Sequence, residues 1–503
     1  MRITNNMIMG NTKTNINATK LLVDKYNTQM TTQKKISKAS EDPVIAIRSM
    51  RMATTLSHLG QYVDNNIPDA QSWLDVTETA LKNMKSIITD IRTQCVYGST
   101  DTLTAEDRQT ILNQLSALSQ QVYSEGNADY AGRTIFTGYY TSSSLTFMKD
   151  DKDITYEITQ DFQYEDFQEN RYYTSGVEVP SVVTDTTPLC TTDVKEENFQ
   201  RIRLAYGDVT NDASNGIQAS MVIKDSDGNE ITGYNIRYLD NASEFDTAAM
   251  QNLKDNPNDI YFLADTGEFV FGETIAKNVQ ENRYSMSVTY TKTGFEAEDA
   301  RPEFYYDCKD ITDSANPVEY NFDDKQYIKY TVATKTDIAV NTLACDVMDT
   351  SIKRDVDEMI NIVQNAIGAH DKVEKLEKMM KEAQYADEDS QRILQSYLDA
   401  AKQEADYADD NLQKTYSQYI SNCDKYLDNV NLAITNVGST KSRISLIQTR
   451  VENQQTTIEE LKSNNEDRDI SDIIIDYYAM YNAYQASLTA ASKIEEQTLL
   501  NYI

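Results

Sequence analysis

The chain has 503 residues, with 80 Asp and Glu against 47 Lys and Arg, a formal net charge of −33. So acidic a surface repels phosphate backbones and anionic lipid, which argues against nucleic-acid binding and membrane insertion, and no apolar run approaches the roughly 18 residues of a membrane span. Two distant histidines (His58, His370) and five cysteines without a close pair (Cys95, Cys190, Cys308, Cys345, Cys423) leave no zinc spacing, disulfide framework or His-centred triad.

Residues 1–40 carry seven Lys and Arg against the single Asp24, a local charge of +6 on this acidic chain. The opening MRITNNMIMG is too polar for the apolar segment of a secretory signal, so no cleaved signal peptide is expected. Next, Val63, Ile67, Ala70, Leu74, Thr77, Leu81, Met84, Ile88, Ile91 and Cys95 recur in steps of four and three. Such a repeat lays one apolar stripe along a helix that must pack against another. Pro68 predicts a kink or restart near residues 64–67. Thr104, with Asp107 three residues on, reads as the cap of a further helix burying Ile111, Leu115, Leu118 and Val122.

Five of the seven prolines lie between Pro180 and Pro317, and eight of the sixteen glycines between Gly176 and Gly294. This turn-rich middle reads as β-structure. Ile154, Tyr156 and Ile158 alternate at period two, as do Met286, Val288 and Tyr290. Asp227-Gly228 separates Met221–Ile223 from Ile231, Asp265-Thr266-Gly267 separates Tyr261–Leu263 from Phe269–Phe271, and Tyr327–Val332 reads as a last strand. From residue 318 onward there is no proline and only Gly368 and Gly438, as long helices require.

Ile352, Val356, Met359, Val363 and Ile367 form a short stripe, and residues 370–412 read as a charge-laced helix without a clean seam. Cys423, Leu427, Val430, Ile434 and Val437 resume the four-three rhythm. It continues through Ile444, Val451 and Ile458, weakened where Lys441, Gln448 and Gln455 occupy the alternate positions. Finally Ile473, Tyr477, Met480, Tyr484, Leu488, Ala491 and Ile494 make a broad stripe, and an isolated helix of that kind is marginal in water unless its apolar face is covered. The two ends of one molecule can cover each other, or neighbouring copies can.

Catalytic, metal-binding and cofactor-binding residues are not assigned, and the chain is not expected to be an enzyme. Asp225–Glu230 lacks the remaining spaced ligands of a calcium loop and reads as a hairpin turn. Acid pairs such as Asp150-Asp151 and Asp409-Asp410 follow from abundance, and Trp73 reads as a packing residue.

Two segments carry a family resemblance. Residues 29–52, QMTTQKKISKASEDPVIAIRSMRM, are similar to the segment joining the first two helices in the flagellin superfamily. Its turn, Ser40-Glu41-Asp42-Pro43, offers a Ser or Asp cap and a proline that presets the first helical turn. Asn127–Tyr139, NADYAGRTIFTGY, followed by Phe147, resembles the G-R-x-[IL]-F-x-G-Y hairpin of the hook–filament junction members, through Gly132, Arg133, Phe136, Gly138 and Tyr139. Leu427–Ile503 is similar to the family's order of seam helix, break and terminal helix.

The resemblance implies a mainly α, flagellin-like fold. Long coiled-coil-like arms from both termini would pack together, with a β-rich insertion in the middle. Terminal assembly helices would occupy 1–40 and 465–503. A helical rod would occupy 41–150 and 345–464, with a β-hairpin near 131–147, and an outward-facing insertion 151–344. It further implies an exported structural subunit of the bacterial flagellum, either the hook–filament adaptor or the filament flagellin. The implied partners are copies of itself in a ring, a hook-side junction protein, flagellin, an export chaperone and the export apparatus.

Overall fold

The computed structural model describes residues 5–100, 104–173, 176–184, 186–192, 194–322 and 325–496. Residues 1–4 and 497–503, assigned above to the terminal helices, and the Ile494 side chain lie outside the described residues. The fold is mainly α, with long helices toward both ends and a β-rich middle. Helices α1 (Asn5–Thr32), α2 (Pro43–Gln61), α3 (Ile67–Gly98) and α4 (Ala105–Gly126) precede the short strands β1 (Asp129–Tyr130) and β2 (Arg133–Thr134). The middle holds β3 (Asp151–Phe162), β4 (Gln168–Tyr173), β5 (Glu196–Arg203), β6 (Ser220–Lys224), β7 (Ile236–Leu239), α5 (Thr247–Asp255), β8 (Ile260–Leu263) and β9 (Glu268–Phe271). It continues with α6 (Glu273–Asn282), β10 (Ser285–Phe295), β11 (Asp307–Asp310), β12 (Val318–Tyr320), β13 (Lys329–Ala333) and β14 (Thr336–Ala339). Helices α7 (Ser351–Met380), α8 (Glu388–Glu466) and α9 (Ile470–Glu496) follow.

Two compact units divide the chain, and the divisions fall inside α3 and α8. The terminal unit comprises the residues up to Gln71, Tyr330–Ile338 and those from Lys441 onward; the central unit comprises Ser72–Lys329 and Ala339–Thr440.

In the terminal unit α1 packs along α9. Asp42 caps α2, its carboxylate accepting from the backbone N–H of Val44 (2.9 Å) and Ile45 (3.1 Å), with Pro43 at the first helical position. Ahead of Pro68 the helix widens into a π-turn over Tyr62–Asn66, where the Ile67 N–H reaches back to the Tyr62 carbonyl. A proline has no N–H to give to the fourth carbonyl behind it, so one extra residue is absorbed there. The β13–β14 hairpin joins this unit at residues 330–338: Tyr330 donates its hydroxyl to Asp69, and Asn66 Nδ2 donates to the Thr331 carbonyl at 2.7 Å.

The central unit contains two five-stranded sheets. One has the order β12–β11–β3–β10–β6, antiparallel throughout. The other has the order β4–β5–β9–β8–β7, in which only β7 and β8 run parallel. They share a core containing Ile158, Ile202, Ile223, Phe262, Phe269 and Val288. Phe245 and Leu253 cover Phe199, Tyr261, Leu263 and Val270 from a second cluster. Strands β8 and β9 are therefore buried along their whole length, and their sequences lose the half-polar alternation that β3 keeps.

The 370–412 stretch lacks a helical seam because it does not pack only on helix. Leu376, Met379, Ile393, Leu394 and Leu398 of α7 and α8 enclose Val177, Val183 and Val194 from an irregular segment. The second sheet docks on the same helices through charge. Arg201 donates to Glu268 (2.7 Å) and Glu358 (2.9 Å), and Arg203 donates to Glu358 (2.7 Å) and to Asp355. Tyr419 gives its hydroxyl to Glu358 (2.6 Å) and Tyr426 to Asp355 (2.7 Å). Burial would push the Glu358 carboxyl up, but the two guanidiniums outweigh it and hold it well below the usual carboxylate range.

Candidate assembly site

The segment joining α1 to α2 and the segment joining α8 to α9 are clasped together. Lys34 Nζ donates to Glu466 Oε1 (2.6 Å) and Asp467 Oδ1 (2.5 Å), and Lys35 Nζ to the Asn464 carbonyl (2.5 Å). Main chain joins main chain, with Lys35 N–H to the Glu466 carbonyl at 2.6 Å and Arg468 N–H to the Gln33 carbonyl at 2.9 Å. Gln29, buried, donates to the Lys35 carbonyl and accepts from Arg468 (3.0 Å), whose guanidinium also lies 5.5 Å over the Tyr26 ring. Ser49 adds a hydroxyl to Glu466, and Asn465 Nδ2 donates to the Ile45 carbonyl at 3.0 Å.

The hydrogen bond from Lys34 pulls Asp467 below its usual range. Glu466 ends lower as well, the bonds from Lys34 and Ser49 outweighing its burial, and Lys34 is raised by Asp467 and Glu466. Part of the basic charge near residue 40 therefore holds the protein's own distant segment. Composition alone does not disclose that, because the acidic partners lie more than 400 positions away.

Beyond the clasp, the α1–α9 pair leaves much of its apolar surface open. Ile473 is fully buried, but Tyr477, Met480, Tyr484 and Ala491 are only half-buried and Leu488 is exposed. Leu21 is 70% exposed, Ile475 65% and Tyr478 60%; Met7, Ile8, Met9, Leu22, Ile474 and Tyr481 are exposed too. Pairing within one molecule thus covers a narrow strip, whereas the sequence stripe is broad. Exposed apolar side chains gathered in one place are a common feature of surfaces that meet partners.

On α3 the seam residues Ile67, Leu74, Leu81, Met84, Ile88 and Ile91 are all buried, and Val63, displaced onto the π-turn, is half-buried. On α8 Val430, Val437, Ile444 and Val451 are buried, but Leu427 and Ile434 are only half-buried. Ala433 and Ile447 are buried instead. From Val430 the buried positions advance by three and then four, so Lys441 and Gln448 stand one position off the seam; Gln448 accepts from Gln71 Nε2 at 3.0 Å. The four-three reading missed this because alanine carries little apolar weight.

The predicted hairpin near 131–147 is narrower, confined to Asp129–Tyr130 and Arg133–Thr134 around Ala131 and Gly132, both with positive φ. Thr134 makes the rest compact without strands, its N–H donating to the Thr141 carbonyl (2.8 Å) and its hydroxyl to Ser143 (2.9 Å). Arg133 lies 5.0 Å over the ring of the buried Trp73, so the motif arginine grips the seam helix. Phe136 is buried, and Gly138 (φ 59°) admits Gln326 so closely that a Cβ would sit 2.3 Å from its amide oxygen. Tyr139 points outward. In the other motif Ser40 and Glu41 are exposed, and Glu41 accepts from Ser37, leaving the cap to Asp42.

Among the described residues no group of three or more His, Cys, Asp or Glu is placed to hold a metal ion, and no helix is long and apolar enough to cross a membrane.

These features define a mainly helical chain with paired terminal arms and a β-rich insertion. Residues 3–141 match the family described as the bacterial flagellin N-terminal helical region. Flagellar hook-associated protein 3 of Escherichia coli (strain K12) is 28% identical over 121 residues, 24% of this chain and 38% of that protein. Flagellin of Clostridium tyrobutyricum is 27% identical over 122 residues, 24% of this chain and 32% of that one. The chain thus spans well under two thirds of either relative. The crystal structure of flagellar hook associated protein-3 from Legionella pneumophila covers 82% of this chain and 98% of its own at 11% identity, with a TM-score of 0.32.

Proposed function

We propose that this protein is a structural subunit of the bacterial flagellum, an adaptor at the hook–filament junction that assembles by packing its N- and C-terminal helices against neighbouring subunits. The observation that carries the reading is the α1–α9 pair, clasped at its base and apolar on its open faces. The family match over residues 3–141 and the likeness to hook-associated protein 3 support the flagellar setting. The Gly132–Tyr139 motif favours the junction over the filament. The neighbours in this reading are copies of the chain in a ring, a hook-side junction protein and flagellin. Delivery in this reading runs through the flagellar export apparatus with an export chaperone. The role is mechanical and requires no catalytic step.

Deleting residues 471–503 is expected to leave the remaining chain folded by circular dichroism and to abolish incorporation into flagella, and normal incorporation rejects the proposal. The second reading, a filament flagellin, rests on the match to the clostridial protein. Immunogold labelling separates the two: one short band at the hook tip supports the adaptor, and labelling along the filament supports flagellin.

A further inference from the structure

The cysteines lie far apart in sequence, but the fold brings two of them to the wall of one cavity. Cys95 of α3 and Cys423 of α8 are both buried and line one small apolar cavity with Ile88, Leu115, Met359 and Tyr419. The local register of the antiparallel helices is bracketed on both sides. Arg92 Nε donates to Asp424 Oδ1 at 2.8 Å, and a Cβ on Gly98 would meet the Tyr416 ring at 2.4 Å. Cys95 lies between those two positions on α3, and Cys423 lies on α8 within the matching interval. Both cysteines therefore border the same small space between α3 and α8. Cys190 and Cys345, by contrast, are half-buried elsewhere.

We propose that Cys95 and Cys423 are a latch closed by a low-molecular-weight disulfide of the oxidised-glutathione type, which joins α3 to α8 covalently. One cysteine thiolate attacks the small disulfide, forming a mixed disulfide and releasing one small thiol. The other cysteine thiolate then attacks the protein sulfur of that mixed disulfide, forms the Cys95–Cys423 bond and expels the second small thiol. Two protein S–H bonds and one small-molecule S–S bond become one protein S–S bond and two small-molecule S–H bonds. The protein loses two electrons, the small disulfide gains them, and both protons leave on the expelled thiols. The contact with Cys95 and burial raise the Cys423 thiol well above its ordinary range, so the packed pair is slow to react. The bond therefore closes while the helices are folding or briefly parted. The reaction does not depend on the flagellar reading.

The test refolds the full chain in a buffer of oxidised and reduced glutathione, alkylates it, digests it without reduction and maps the cross-links by mass. A peptide joining residues 95 and 423 is expected, together with a rise in Tm of about 5 °C or more that a reducing agent reverses. Alkylated Cys95 and Cys423 in the oxidised sample, or their cross-linking to Cys190 or Cys345, overturns the proposal. A variant carrying Cys190→Ser, Cys308→Ser and Cys345→Ser leaves only the pair. Under the same treatment its two thiols must fall to none, with a mass loss of two hydrogens and no glutathione adduct; two persisting thiols reject the latch.

Discussion

The central and terminal units solve the problem of apolar surface in opposite ways. In the central unit the core side chains Trp73, Tyr156, Tyr290, Phe262, Phe269 and Leu81 are all almost wholly buried, and Arg201 and Arg203 meet carboxylates. In the terminal unit α1 and α9 are fastened at one end by charge and main-chain hydrogen bonds, yet Leu21, Ile475 and Tyr478 stay open. Helical periodicity is present in both. It shows that a stripe must be covered but not what covers it, and the width of the stripe against the width of the single available partner makes the difference.

Substitutions that act on one unit and spare the other test this contrast. Glu358→Ala is expected to be the most damaging, since it leaves Arg201 and Arg203 buried with less counter-charge, a loss of about 3–5 kcal/mol. Urea unfolding followed by Trp73 fluorescence reads it, because the only tryptophan lies buried in the central unit. Leu81→Ala on the enclosed seam is expected to cost about 2–5 kcal/mol by the same measurement.

The clasp contributes less, because its ion pairs are partly exposed. Lys34→Ala is expected to cost about 0.2–1 kcal/mol, seen as faster amide exchange near residues 33–36 and 464–468 with an unchanged Trp73 transition. Its pH dependence has a definite sign. Asp467 and Glu466 are depressed in the folded chain, so their contribution is present above their unfolded values near 4 and is lost as pH falls below them. Lys34 is raised, so its contribution is lost only as pH climbs past about 10.4. Protection factors at the clasp, with the intrinsic pH dependence of amide exchange divided out, should accordingly be highest between roughly pH 4 and 10 and fall on acidification. Ile475→Asp is expected to shift the monomer by no more than about 0.5 kcal/mol, since the side chain is already in water. A large loss of monomer stability in that variant would mean the face is not open.

Much of this organisation was legible from local chemistry. The Thr104–Asp107 capping box, the Asp42-Pro43 helix start, the restart ahead of Pro68 and the alternation of β3 and β10 each depend on neighbours within a few residues. What the sequence left unexplained or displaced depends on distant partners. The α8 rhythm slipped by one position because Ala433 outweighs Ile434 only when a facing helix leaves room for a small side chain. The 370–412 stretch lacked a seam because Val177, Val183 and Val194, which no helical period can reveal, pack there.

The sequence by itself determined where helices can run, where they must stop and which faces are apolar, since proline, glycine, caps and side-chain period act over a few residues. Only the tertiary structure decided that Lys34 meets Glu466 and Asp467, that Arg201 and Arg203 meet Glu358, that Arg133 meets Trp73 and that Cys95 and Cys423 line one cavity. Those pairings span tens to hundreds of residues. They exist because the packed helices and sheets fix the ends of each pair at one place, which no local preference along the chain encodes.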